Sequence, residues 1–151
     1  MQYERDIWIR MKAILRSARQ IVNTELEPLD LTGAEGDILF HLLSESDEIS
    51  QETLAERLDI GKAAISRTVG SLENKGYINR LRLPADSRAY RVKLTQKARK
   101  IRDKIDQAYK NVYEIALTGI DKSEFARLDR FLGVVHRNLD EWESKKCPNP
   151  E

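Results

Sequence analysis

Cysteine, histidine and aromatic residues are scarce in this 151-residue chain, which has one Cys, two His, and Phe, Trp and Tyr at 7% together. A single cysteine, Cys147, cannot close an internal disulfide, so the core has to come from packing, and the chain reads as one from a reducing compartment. A redox role for that thiol would need activating neighbours, which a tail ending before Pro148 does not offer. His41 and His136 are too few for a metal site without further Cys or paired His, so no metal and no cofactor is implied. No glycine-rich phosphate loop and no assembled Ser-His-Asp set is present, and the chain reads as a non-enzyme. No apolar run approaches the ~20 residues of a membrane span, and Met1 to Arg10 has no signal-peptide core. The expected location is the cytoplasm, with no membrane partner.

Charge is abundant. Asp, Glu, Lys and Arg make up 34% of the residues, which suits a helical protein with large wetted surfaces and is poor material for a β-sandwich. The net charge of +1 hides a strong asymmetry. Between Gly61 and Lys104 lie thirteen of the 26 bases but only three of the 25 acids, leaving the remainder of the chain at −9. A concentrated basic segment beside an acidic remainder is the electrostatic footprint of a phosphate-binding face.

The segment Gly61–Gly76, GKAAISRTVGSLENKG, opens that basic region. Ile65, Val69 and Leu72 recur at helical spacing as a narrow apolar stripe, with Ala63, Arg67, Gly70 and Asn74 opposite. The outer face is small and flat, with one guanidinium and the hydroxyls of Ser66 and Ser71 beside it. Arg, Ser and Asn hydrogen-bond base edges and phosphates, and small neighbours let a helix sink into a major groove. Taken alone, the stretch also fits a surface helix of a small bundle. The flanks favour a recognition helix. Ser50 is placed to cap a short helix, QETLAERLDI, that buries Leu54, Ala55 and Leu58, and Asp59–Lys62 with Gly61 gives the turn of a helix-turn-helix. After Gly76, Tyr77–Leu83 alternates like a strand, Pro84–Ser87 supplies a turn, and Tyr90–Leu94 alternates again. The sum is a winged helix.

The run Ile65–Thr95 resembles the MarR family of transcription regulators: the Ser66–Arg67 pair early in the helix, the L-E-x-K-G-Y-I helix end at Leu72–Ile78, Asp86 and Arg88 at the wing tip, and V-x-L-T at Val92–Thr95. The similarity extends more loosely over the flanking helices. It implies a mainly α fold with a small β-wing, a winged helix-turn-helix flanked by long dimerisation helices. It also implies a wing-tip Arg88 that reaches a minor groove and an Asp86 that holds the tip in shape by pairing with it. The expected DNA set is Arg67 on base edges, Ser66, Ser71 and Asn74 on bases or phosphates, Lys62 on the backbone, and Asp86, Arg88 and Arg91 at the wing. Arg82, Arg91 and Lys93 sit on alternate strand positions, where charge serves solubility as readily as phosphate contact.

In chain order, Glu4–Leu26 carries a broad apolar stripe that includes Ile7, Met11 and Ile14, and is broken by Glu27–Asp30. Thr32 with Glu35 makes a capping box for a second helix through Leu43, and Ile49 can pair briefly with the wing. Thr95 is placed to cap a long helix over roughly 96–117, and Asp121 with Glu124 caps a last one bearing Phe125, Leu128, Leu132, Val135, Leu139 and Trp142 at steps of three and four. The organisation expected is one MarR-like domain over 1–151, with helical dimerisation parts at 1–31 and 96–146, a winged helix at 32–95 and a tail at 147–151. Both terminal thirds carry more apolar seam than a small winged helix can cover. An intramolecular helical hairpin is one solution; interlocking with a second copy is the other, and is what the resemblance implies.

The resemblance further implies a crevice between the helical region and the winged helix for an anionic or phenolic ligand. Trp8, Arg16, His41 and Tyr109 are the residues able to line one, although each also reads as ordinary packing or surface. The functional expectation is a homodimeric regulator, a repressor, on an inverted repeat in double-stranded DNA with half-sites ~10 bp apart. A protein-interaction module and a sequence-neutral DNA-compacting protein are the rivals. The first does not need so lopsided a charge, and the second does not need the Arg67 face.

Overall fold

The structure, a computed structural model, describes residues 1–45, 48–83 and 86–146, with the backbone alone at 83 and 86–89. Helix α1 (Gln2–Leu26) is followed by a 3-10 turn (Glu27–Leu29), α2 (Gly33–Glu45), β1 (Glu48–Ser50), α3 (Gln51–Arg57) and α4 (Lys62–Asn74). Strands β2 (Ile78–Leu83) and β3 (Asp86–Leu94), α5 (Gln96–Lys100), α6 (Arg102–Leu117) and α7 (Lys122–Lys146) complete the order. Residues 1–113 form one compact unit and 114–151 a second. The Cys147 tail lies outside the described residues, and among those described no helix is long and apolar enough to cross a membrane.

Local chemistry sets most element ends in the first unit. Pro28 cannot continue α1; the chain turns through Asp30 at a left-handed φ of 53°, and Leu31 N–H returns to Leu26 O at 3.3 Å. The capping box at α2 closes both ways, with Glu35 N–H on Thr32 Oγ1 (3.3 Å) and Thr32 N–H on Glu35 Oε2 (2.8 Å). Asn23 of α1 accepts the next free donor, Gly33 N–H, at 2.6 Å. Thr95 accepts Ala98 N–H at 3.3 Å and so caps α5. The expected single helix over 96–117 is broken at Ile101. There the amide bonds back only three residues, to Ala98 O at 3.1 Å, and Ala98 before the break and Ile105 after it are both buried.

That core lies where α1, α2, α3, α4, α6 and the sheet meet, and its centre is Leu26, Ile38, Leu39, Leu42, Leu54, Ile65, Leu72 and Ile105, each under 2% exposed. Burial of each such side chain contributes about 1.5–3 kcal/mol. The three strands run in the order β1-β3-β2, antiparallel throughout, with Ile49 opposite Val92 and Arg80 also opposite Val92 from the other side. Ile49 does therefore pair with the wing.

A polar joint ties α1, α2 and α6. Arg19 pairs with Asp37 at 2.5 Å, Tyr109 Oη donates to the other Asp37 oxygen at 2.5 Å, and the Tyr109 ring stacks on Phe40 at 4.3 Å. Gly36 sits in the middle of it. A Cβ there would lie 2.3 Å from Leu26 Cδ1 and 3.0 Å from Tyr109 Oη, against a leucine that has no exposed surface to retreat into. Gly36→Ala should therefore lower stability by roughly 1–3 kcal/mol in urea unfolding, despite alanine's higher helix propensity. A stabilised Gly36→Ala protein would mean that the three helices do not approach this closely.

In the second unit, α7 begins at a capping box in which Asp121 Oδ1 accepts Glu124 N–H at 2.9 Å and Asp121 N–H donates to Glu124 Oε2 at 3.0 Å. No residue of α7 is buried.

Candidate nucleic-acid interface

Helix α3 starts where Ser50 Oγ accepts Thr53 N–H at 3.0 Å, and it buries Leu54 and Ala55. The turn to α4 is made by Asp59, at a left-handed φ of 50°, with Ile60 N–H closing on Ala55 O at 3.0 Å. Gly61, expected to supply that turn, has an ordinary φ of −59° and serves as the N-cap residue of α4. Aspartate tolerates the left-handed region better than most side chains, so the glycine's freedom is not needed.

Helix α4 buries Ile65, Val69 and Leu72, as its apolar stripe requires. Its C-terminus is a Schellman turn: Tyr77 N–H returns to Leu72 O and Gly76 N–H to Glu73 O, both at 2.9 Å, around Gly76 at φ 75°. On the other side Lys62, Ala63, Arg67 and Asn74 are exposed, and Ser66 and Gly70 are half-buried beside them. Lys62 lies 3.6 Å from Glu52 across the turn, an exposed pair that little energy holds in place.

Ser71 belongs to neither face as expected. Its hydroxyl donates to Glu35 Oε1 at 2.6 Å, so in the free protein it is engaged on the scaffold side of the helix. Glu35 is only 2% exposed and also receives the Lys75 ammonium at 3.0 Å. Lys75 in turn donates to Asp30 O at 2.6 Å, and Tyr77 Oη to Leu29 O at 3.3 Å. The capping glutamate of α2 thus also holds the C-terminal half of the recognition helix, a long-range role that the capping-box pattern does not announce.

In the wing, the backbones of Asp86 and Arg88 belong to β3, but their side chains, and all of Pro84 and Ala85, lie outside the described residues, so the Asp86–Arg88 pairing expected there does too. Arg91 is engaged within the sheet: its Nε lies 2.7 Å from Glu48 Oε1 on β1, and Lys93 lies 3.6 Å from the other Glu48 oxygen. Arg91, expected at DNA, is thus paired across the strands while its side chain keeps 41% of its surface exposed. Arg80, which the strand pattern did not single out, folds back on α4. Its Nη2 donates to Ser66 O at 3.1 Å and its guanidinium lies 5.2 Å from the Tyr90 ring centre, with Arg82 on the same ring at 5.6 Å.

Of the four residues expected to line a ligand crevice, Trp8 and Arg16 are exposed on α1, His41 is half-buried on α2 and 3.7 Å from Glu45, and Tyr109 is buried. Burial, and after it the hydrogen bond and charge of Asp37, push the Tyr109 hydroxyl well above the ordinary tyrosine range, so it stays a donor. A surface cleft of about 410 Å³ opens elsewhere, with Asn23, Asp30, Thr32 and Lys75 in its wall. None of the four expected residues lines it.

Comparison with known proteins agrees with this geometry. The MarR family profile matches residues 29–89, from the end of the 3-10 turn to the first residues of β3. Among solved structures, a MarR transcriptional regulator from Methanosarcina mazei Go1 is 25% identical over 91% of this chain and 98% of its own, with a TM-score of 0.78. The transcriptional regulator SlyA is 26% identical over 91% and 97%, with a TM-score of 0.81. A MarR family regulator from Listeria monocytogenes, solved in complex with a 26-mer DNA, is 25% identical over 95% and 96%, also at 0.81. Profile, fold and the helix-turn-helix with its wing agree, and together they support a MarR-family winged-helix transcriptional regulator.

Proposed function

We propose that the protein acts as a homodimer that reads an inverted-repeat operator in double-stranded DNA and represses transcription. The observation that carries this reading is α4, whose scaffold side is fully engaged while Lys62, Ala63, Arg67 and Asn74 stand exposed in the most basic part of the chain. That the Listeria relative was solved in complex with a 26-mer DNA supports DNA as the partner. Two apolar seams support the dimer: Ile7 and Ile14 on α1 in the first unit, and the exposed row on α7 in the second, each needing a cover that a second copy supplies. Release by a small anionic or phenolic molecule is part of the proposal, and His41, whose buried Nε2 has no hydrogen bond among the described residues, is its best-supported anchor.

The test is a titration against DNA from upstream of the gene and against scrambled DNA, at several salt concentrations. A preference that persists as salt rises, with two symmetric protected half-sites, supports the reading; equal binding that fades with salt leaves only the phosphate term and sinks it. Within that assay Arg67→Ala should cost roughly 1–3 kcal/mol at particular base pairs, whereas Arg88→Ala should weaken binding to most sequences alike and lower the salt slope by about one. Identical, uniform losses for both would contradict the division of labour between helix and wing.

A further inference from the structure

Arg80 stands on β2 but its side chain is spent on α4. Only 17% of that side chain is exposed. Its Nη2 donates to the Ser66 carbonyl at 3.1 Å, its Nε lies 3.8 Å from Glu73 Oε2, and its backbone N–H donates to Glu73 Oε1 at 2.9 Å. The Tyr90 ring of β3 covers the guanidinium at 5.2 Å. Residues 66, 70 and 73 share one stripe of the helix, and the guanidinium packs against that stripe. Gly70 makes this approach possible: a Cβ at that position would come within 3.1 Å of Arg80 Nη2. Gly70, which the sequence assigns to the flat outer face of the recognition helix, is the slot into which the wing's arginine fits.

We infer that Arg80 is a positioning residue that fixes the angle of the wing against the recognition helix, and that DNA affinity depends on it without its touching DNA. The inference rests on the operator-reading function proposed above. A winged helix gains affinity from placing two readers on the duplex at once, and a wing free to swing loses that preorganisation. Arg80 joins α4, β2 and β3 in one contact cluster. Its charge is held by the helix carbonyl, the Glu73 carboxylate at ion-pair distance and the Tyr90 face, with its Nε buried and without a hydrogen bond among the described residues, and 17% exposure leaves little of it to offer a phosphate.

A direct phosphate contact makes different predictions. Lysine serves a phosphate nearly as well as arginine does, and removal of the acid Glu73 from beside the DNA would strengthen binding. If Arg80 positions the wing, Arg80→Lys fails as badly as Arg80→Met, because an ammonium cannot hold a carbonyl, pair with Glu73 and stack on Tyr90 together. Glu73→Ala then weakens operator binding although it deletes a negative charge. Each single variant should lose roughly tenfold in affinity, and the double variant Arg80→Met/Glu73→Ala no more than the worse single one. Additive losses, a near-normal Arg80→Lys, or tighter binding by Glu73→Ala would each overturn the proposal.

Amide hydrogen exchange on the free protein reads the same clamp without DNA, and so separates its failure from failure of the operator reading. Arg80→Met should speed exchange in 78–83 and 90–94 while α2 and α6 keep their protection. Unchanged exchange in the wing, or a loss of protection everywhere, would rule out a local clamp whatever the DNA titration gives.

Discussion

Glu35→Ala is expected to destabilise the protein by about 3 kcal/mol, measured by urea unfolding at fixed protein concentration, with Tm falling by roughly 6–12 °C. The substitution removes half of the α2 capping box, which is worth ~1 kcal/mol by itself. It also strips the partner from the Ser71 hydroxyl at 2.6 Å and removes the carboxylate 3.0 Å from Lys75, whose next acid among the described residues, Asp30, stands 4.0 Å away. Breaking one member of a buried charged network costs more than the network contributes as a whole, because the groups left behind stay desolvated. The pH dependence has a definite sign. Burial alone raises the Glu35 carboxyl, but hydrogen bonds from Ser71, the Thr32 backbone and Lys75, with the Lys75 charge, outweigh it and leave the pKa below the ordinary value of 4.5. With the folded pKa below the unfolded one, the stabilisation is complete above about pH 4.5 and is lost as pH falls through the folded value. The native protein should therefore lose more stability than Glu35→Gln on going from pH 5 to pH 3. Parallel pH profiles for the two would show that Glu35 carries no such linkage.

The pattern of what sequence reasoning found and missed follows from the range of the forces involved. Ser50, Thr32 with Glu35, Thr95, and Asp121 with Glu124 all cap helices as their spacing says, because a cap is settled within four residues. The buried stripe of α4 was legible for the same reason, since periodicity is local, and Ile49 does pair with the wing as expected, although its partner Val92 comes only from the sheet register. Ser71, expected on DNA, stands at the border of two helix faces, and a carboxylate 36 residues away holds its hydroxyl on the scaffold side, which no local pattern could announce. Arg91 and Arg80 look alike in the strand pattern. One meets Glu48 on β1 and the other crosses α4 through the gap at Gly70, a distinction that only the sheet order β1-β3-β2 creates. The break at Ile101 had no sequence signal, since no proline or glycine marks it and Ala98 and Ile105, seven residues apart, would share a face of an unbroken helix as well.

Leu132→Glu is expected to have the largest effect on function, through assembly rather than through the DNA face. Along α7 the six residues Phe125, Leu128, Leu132, Val135, Leu139 and Trp142 are all between 38% and 61% exposed, and nothing on that helix is buried. A row of this length at steps of three and four is the seam of a helix packed against other helices, each side chain offering about 1.5–3 kcal/mol if covered. Leu132 stands in the middle of the row, where a carboxylate would be desolvated without a partner in any assembled form. The native chain should sediment at twice its 17.5 kDa and the variant at the monomer mass, with helix content unchanged by circular dichroism. Arg137→Glu lies on the opposite side of α7 and controls for added negative charge; it should stay dimeric. In the proposed dimer two linked recognition helices would bind an inverted repeat with the second contact made intramolecular, so the monomer should lose roughly 10²–10⁴-fold in operator affinity while keeping its weak, salt-sensitive affinity for a single half-site. A Leu132→Glu monomer that still held the full operator as tightly as the native protein would place the two readers on one chain, and the dimer would have to be abandoned.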